Sequence, residues 1–63
     1  MSRFDFHQKN DERAKTEARR LFEQRGVLGS RWLNWVAAEL YQLSPPEYAA
    51  MVRRELQRLH ASG

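Results

Sequence analysis

The sequence predicts an all-α fold: a small three-helix bundle with a short N-terminal arm, its second half open to a helix-turn-helix-like arrangement. Three observations carry that prediction. Apolar residues recur at helical rather than strand spacing. Turn chemistry is confined to Gly26-Val27-Leu28-Gly29-Ser30 and Ser44-Pro45-Pro46, which divides the chain into three segments. The chain has 63 residues and no cysteine, so it is one small domain (1–63) without disulfide or Cys-metal staples, a size class that relies on helix packing or on oligomerisation.

The arm, residues 1–8, contains Phe4 and Phe6. Their alternation is too short to argue for a sheet, and one or both rings are expected to pack on the bundle; Asp5 and Gln8 also have the spacing of a capping box. The first helix is expected over about residues 9–25. Ala14, Ala18, Leu21 and Phe22 share one face, and Asp11 with Lys15 and Arg13 with Glu17 form i,i+4 pairs on the polar side. Gly26 suits the left-handed residue beyond the helix end, with Val27 placed to touch Phe22.

The second helix is expected over about 31–43, with Ser30 as N-cap. Its run Trp32-Leu-Asn-Trp-Val-Ala-Ala-Glu-Leu-Tyr-Gln-Leu43 carries more apolar residues than one stripe needs. At about 100° per residue, Trp32, Leu33, Val36, Leu40 and Leu43 share a core face, while Trp35, Ala38 and Tyr41 fall on the flanks or opposite. The third helix, about 45–60, opens with Ser44 at N-cap, Pro45 at N1 and Glu47 at N3. Tyr48, Val52, Leu56 and Leu59 form its buried stripe, and Arg53, Arg54, Gln57 and Arg58 point away.

Composition narrows the function classes. The formal charge is +3 from 11 Lys and Arg against 8 Asp and Glu, and splitting at Ser30 and Ser44 gives +2, 0 and +1, so no segment is a basic tail. On the first helix Arg13, Arg19, Arg20 and Arg25 are broken up by Glu12, Glu17 and Glu23, the mark of a solvated, salt-bridged face. The opening Met-Ser-Arg-Phe-Asp-Phe-His-Gln has no continuous apolar core, and no apolar run approaches a membrane span, so neither a secretory signal nor a membrane association is expected and the placement is cytoplasmic.

No Ser/His/acid set converges, Gly26 and Gly29 do not make a phosphate loop, and His7 and His60 lack a third ligand. The expectation is no enzyme, cofactor, metal or small-molecule substrate. What remains is a surface for a macromolecule. In the first reading, Trp35, Tyr41 and Met51 supply apolar contact and Arg53, Arg54 and Arg58 supply charge to another protein, with homodimerisation through the same patch as one form of it.

A second reading makes the chain a helix-turn-helix-like DNA-binding regulator. With Ala38 as the small residue of that motif, Tyr41, Leu43, Tyr48 and Met51 fall at its apolar positions, and Ala50, Arg53, Arg54 and Gln57 of the helix 45–60 would meet nucleic acid. Glu47 at the head of that helix faces phosphates with the wrong charge.

The stretch Ala18-x-x-Leu21-Phe22-Glu23-x-x-Gly26, followed by Trp35-x-x-Ala38-Glu39, resembles a family of very short bacterial two-helix domains without an established activity. Phe22 stands where that pattern has Trp, and the third helix lies outside it. The resemblance implies a small helical domain of bacterial or phage character.

Overall fold

A computed structural model describes residues 3–62, and these are helical throughout except at the turns. Helix α1 runs Arg3–Glu23 and α2 is the single turn Arg25–Leu28; a 3₁₀ turn, Gly29–Arg31, leads into α3, Trp32–Gln42, and α4 runs Pro46–Ser62. The all-α class is confirmed, whereas the expected three-helix bundle is not: two long helices dominate the described residues. The weight is unevenly shared: α1 and α4 are long and make the principal interface, with α3 a shorter element beside them.

The predicted arm is corrected. Met1 and Ser2 lie outside the described residues, and 3–8 form the first turns of α1. No Gly or Pro interrupts the chain from Arg3 to Gln24, and extending an existing helix needs no new nucleus. At about 100° per residue Phe6 and Asn10 continue the stripe of Ala14, Ala18 and Leu21. Phe6 accordingly packs against the core, while Phe4, on the other side of the helix, is 71% exposed.

The end of α1 also differs from the expected glycine stop. Gly26 lies inside α2, and the positive φ falls instead at Gly29 (φ 57°, ψ −127°), a conformation that glycine adopts without a Cβ clash. Val27 is 75% exposed and does not close on Phe22. The break at Gln24 leaves the Leu21 carbonyl to accept the Gln24 amide at 3.3 Å and, at 2.8 Å, the indole Nε1–H of Trp32. The Trp32 ring meets Phe22 edge-on (centroids 6.2 Å apart, planes at 86°). Thus the start of α3 is fastened to the end of α1.

This fastening sets the rotation of α3. Trp32 and Val36 are buried and Trp35 is half-buried against the core, so the inward arc is centred nearer Trp35 than predicted. Leu33, expected in the core, is 70% exposed, and Leu40 and Leu43 are half-buried. The N-cap of α3 is Arg31, without a side-chain capping bond, instead of Ser30; the chain enters through helical backbone, which leaves Ser30 within the 3₁₀ turn.

The capping box at Ser44 shifts as well. Helix α4 starts one residue later than predicted, because the Pro45 carbonyl accepts the first amides, Tyr48 at 2.9 Å and Ala49 at 3.2 Å. Pro46 then takes the first helical position, and Glu47 still places its carboxylate near the positive end of the helix dipole. Tyr48, Met51, Val52 and Leu56 of α4 close on Ala14, Ala18 and Leu21 of α1. Ala14 and Ala18 lack bulk, which lets the two backbones approach; Leu21 and Val52 are fully enclosed, each worth about 1.5–3 kcal/mol of burial.

Two outcomes follow. Trp32→Phe keeps an aromatic ring but removes the indole donor, leaving the Leu21 carbonyl only the Gln24 amide at 3.3 Å, so thermal unfolding followed by circular dichroism is expected to show a loss of about 0.5–1.5 kcal/mol, at about 4–8 °C per kcal/mol for a domain of this size. The two glycines are expected to move in opposite directions: Gly26→Ala, helical and open to solvent on its Cβ side, stabilises by about 0.5–1 kcal/mol, whereas Gly29→Ala destabilises by about 1–3 kcal/mol. Equal responses at both positions would contradict the assignment of the special conformation to Gly29.

Candidate protein-binding face

Helices α3 and α4 form a hairpin through the turn at residues 43–45, with Leu40 beside Pro46 and Ala49 at the turn end, and Trp32 beside Leu56 and His60 at the other. The two helices therefore run antiparallel. Their outward seam holds two open grooves. One, at the turn, is walled by Leu40, Tyr41, Leu43 and Pro46, with Ala49 and Ala50 as its floor. The other, toward the end of α4, lies between Leu33, Val36, Leu56, Gln57 and His60. Leu40 and Arg53 line both, so the two grooves adjoin in one strip along α4 with these side chains between them.

The residues singled out in the sequence are dispersed by the fold. Tyr41 is 92% exposed and edges the first groove. Trp35, predicted to share that surface, packs its half-buried ring against the core. Met51 is a correction: it is buried among the α1 and α4 core residues and offers nothing to a partner. Arg53, Arg54 and Arg58 are exposed as predicted, but Arg58 is already engaged by Glu55 through Nε at 2.8 Å and a terminal nitrogen at 2.7 Å. Arg53 and Arg54 make no ion pair among the described residues.

The positions assigned to nucleic-acid reading are also rearranged. Ala50 is half-buried in the groove floor and Gln57 is exposed at its edge. Of the helix-turn-helix anchors, Tyr48 and Met51 enter the core and Leu43 packs on it, but Ala38 and Tyr41 are exposed. The small-residue contact of that motif is therefore not made.

Leu33 and Leu40, expected in the core, join the strip, which is completed by Pro46, Ala49 and His60, none of them singled out as binding residues. A signal for them was present: Pro46, Ala49, Ala50, Arg53, Gln57, His60 and Ala61 recur at three and four residues along α4, the spacing of one helical face. Their small or polar character hides that face from a search for hydrophobic stripes.

Away from the strip, α1 uses its charges locally. Lys15 pairs with Asp11 at 3.1 Å as expected. The expected Arg13–Glu17 pair is replaced: Glu17 receives Arg20 through two bonds of 3.0 and 3.1 Å, and Arg13 lies over the Tyr48 ring at 5.1 Å. The Arg20 guanidinium holds the Glu17 carboxyl below the usual carboxylate range, chiefly through the direct hydrogen bonds. Arg25 covers the Phe22 face at 4.1 Å. Among the described residues no three His, Asp or Glu side chains converge on a metal site, and no helix is long and apolar enough to cross a membrane.

No family model matches the chain, and neither do curated proteins or solved structures.

Because the Glu17 carboxyl titrates lower in the folded than in the unfolded chain, its pair with Arg20 stabilises above the ordinary carboxylate range and that contribution disappears as pH falls through the depressed folded value. Arg20→Gln is expected to return Glu17 to an ordinary titration in carboxyl-carbon NMR and to cost about 0.3–0.5 kcal/mol at neutral pH, with no difference from wild type in strong acid.

Proposed function

We propose that this chain is a non-enzymatic binding protein, a small all-helical unit of bacterial or phage character working in the cytoplasm, that acts by receiving another protein on the α3–α4 face. One observation carries the reading: Leu33 and Tyr41 stand exposed on α3 beside two adjoining, predominantly apolar open grooves. Scattered exposed apolar residues need no explanation, whereas apolar side chains gathered along a concave seam are what protein partners cover. The absence of cysteine suits a reducing compartment.

DNA recognition by α4 draws less support. Arg53 and Arg54 are available to phosphates, but Ala38 and Tyr41 do not form the anchor that fixes a recognition helix, and Arg53 stands amid apolar side chains.

The test is capture from host lysate on the immobilised chain, with and without nuclease, using wild type and a Leu33→Ser, Tyr41→Ser double variant. Both residues are exposed, so the variant is expected to keep its helical circular dichroism. The expected result is a nuclease-resistant protein retained by wild type and lost from the variant. Retention abolished by nuclease, or undiminished in the variant, would overturn the reading.

A further inference from the structure

We propose that the occupant of the α3–α4 face is one amphipathic helix of a different protein, lying along α4 and presenting a carboxylate at its midpoint to Arg53. The inference rests on the protein-binding reading above and specifies its partner.

Length comes first. The adjoining grooves follow α4 from Pro46 to Ala61, about 22 Å at 1.5 Å per residue, which is the span of a helix of about 15 residues. An open, apolar seam of that length is the shape that receives the apolar face of a helix through side chains at i, i+3 or i+4, and i+7. Ala49 and Ala50 leave depth near the turn, and Leu33 and Leu40 provide a wall.

Charge then selects the occupant. Arg53 lies seven residues from Pro46 and eight from Ala61, at the middle of the strip, and lines both grooves. It is the residue of fixed charge in either lining; no carboxylate of the described residues lines them, and Arg53 makes no ion pair there. A docked apolar helix would exclude water from around the guanidinium, which strengthens its attraction for a carboxylate and penalises a partner that leaves it unpaired.

The same position argues against a second copy. A two-fold pairing of this face about its midpoint would set one Arg53 guanidinium against the other, between chains that each carry +3.

The test selects a displayed library of helices of about 15 residues, randomised along one face, against the intact chain. Enriched clones are expected to combine apolar residues at i, i+3 or i+4, and i+7 with a central Asp or Glu. Their affinity should fall about tenfold or more against Arg53→Glu, whose exposed side chain leaves the fold intact by circular dichroism. Selection against Arg53→Glu should move the central residue to Lys or Arg.

Enriched helices with no central acid, or with binding indifferent to Arg53→Glu, would overturn this inference while lysate capture dependent on Leu33 and Tyr41 still upheld the broader reading. A chain that sediments as a dimer and selects no helix would assign the face to a second copy and overturn it too. Displacement of the selected helices by duplex DNA would do the same.

Discussion

The hydrogen bond from the Trp32 indole to the Leu21 carbonyl is the constraint on which the remaining geometry turns. A helix end leaves carbonyls without partners, and here one of them is answered by a side chain eleven residues further on. The bond is buried, so its loss would leave the Leu21 carbonyl only the longer bond from the Gln24 amide at 3.3 Å. Its direction also fixes the angle at which α3 leaves the linker. Trp32 cannot turn outward without breaking the bond and leaving its contact with Phe22.

From that pinned start the consequences run along α3. Trp32 and Val36 face inward, which takes Trp35 partly inward and rotates Leu33 out. Leu33 and Leu40 then stand beside α4, where Ala49, Ala50 and Arg53 do not fill the seam, and a groove remains between the two helices. The candidate binding face is therefore the other side of the packing solution at the end of α1. A rotation of α3 by one residue, about 100°, would bury Leu33 and erase much of the seam.

The arginines divide by the same logic. Arg20 and Arg58 bind carboxylates three residues before them on their own helices, and Arg13 and Arg25 lie over aromatic rings. These contacts use the planar guanidinium both as a hydrogen-bond fork and as a stacking surface. Arg53 has neither kind of partner among the described residues, although it lines two predominantly apolar grooves, which leaves it available as a contact for something outside the chain.

Local information was enough for the helical class, for the break near Ser44-Pro45-Pro46, for the Asp11–Lys15 pair and for the stripes of Ala14, Ala18 and Leu21 on α1 and of Tyr48, Val52 and Leu56 on α4. These depend on spacing, proline and charge within one or two turns. Whether residues 3–8 continue α1, which glycine takes the positive φ, and which way α3 faces were not local questions. Phe6 and Phe22 find their partners through packing, and the positive φ falls at Gly29, three residues before the anchored Trp32. The sequence by itself determined that the chain is helical, where its main breaks lie and which apolar residues it must hide. The tertiary structure decided which were left outside, burying Met51 and exposing Leu33 and Tyr41, because one long-range hydrogen bond fixes the rotation of a helix whose apolar residues exceed a single face.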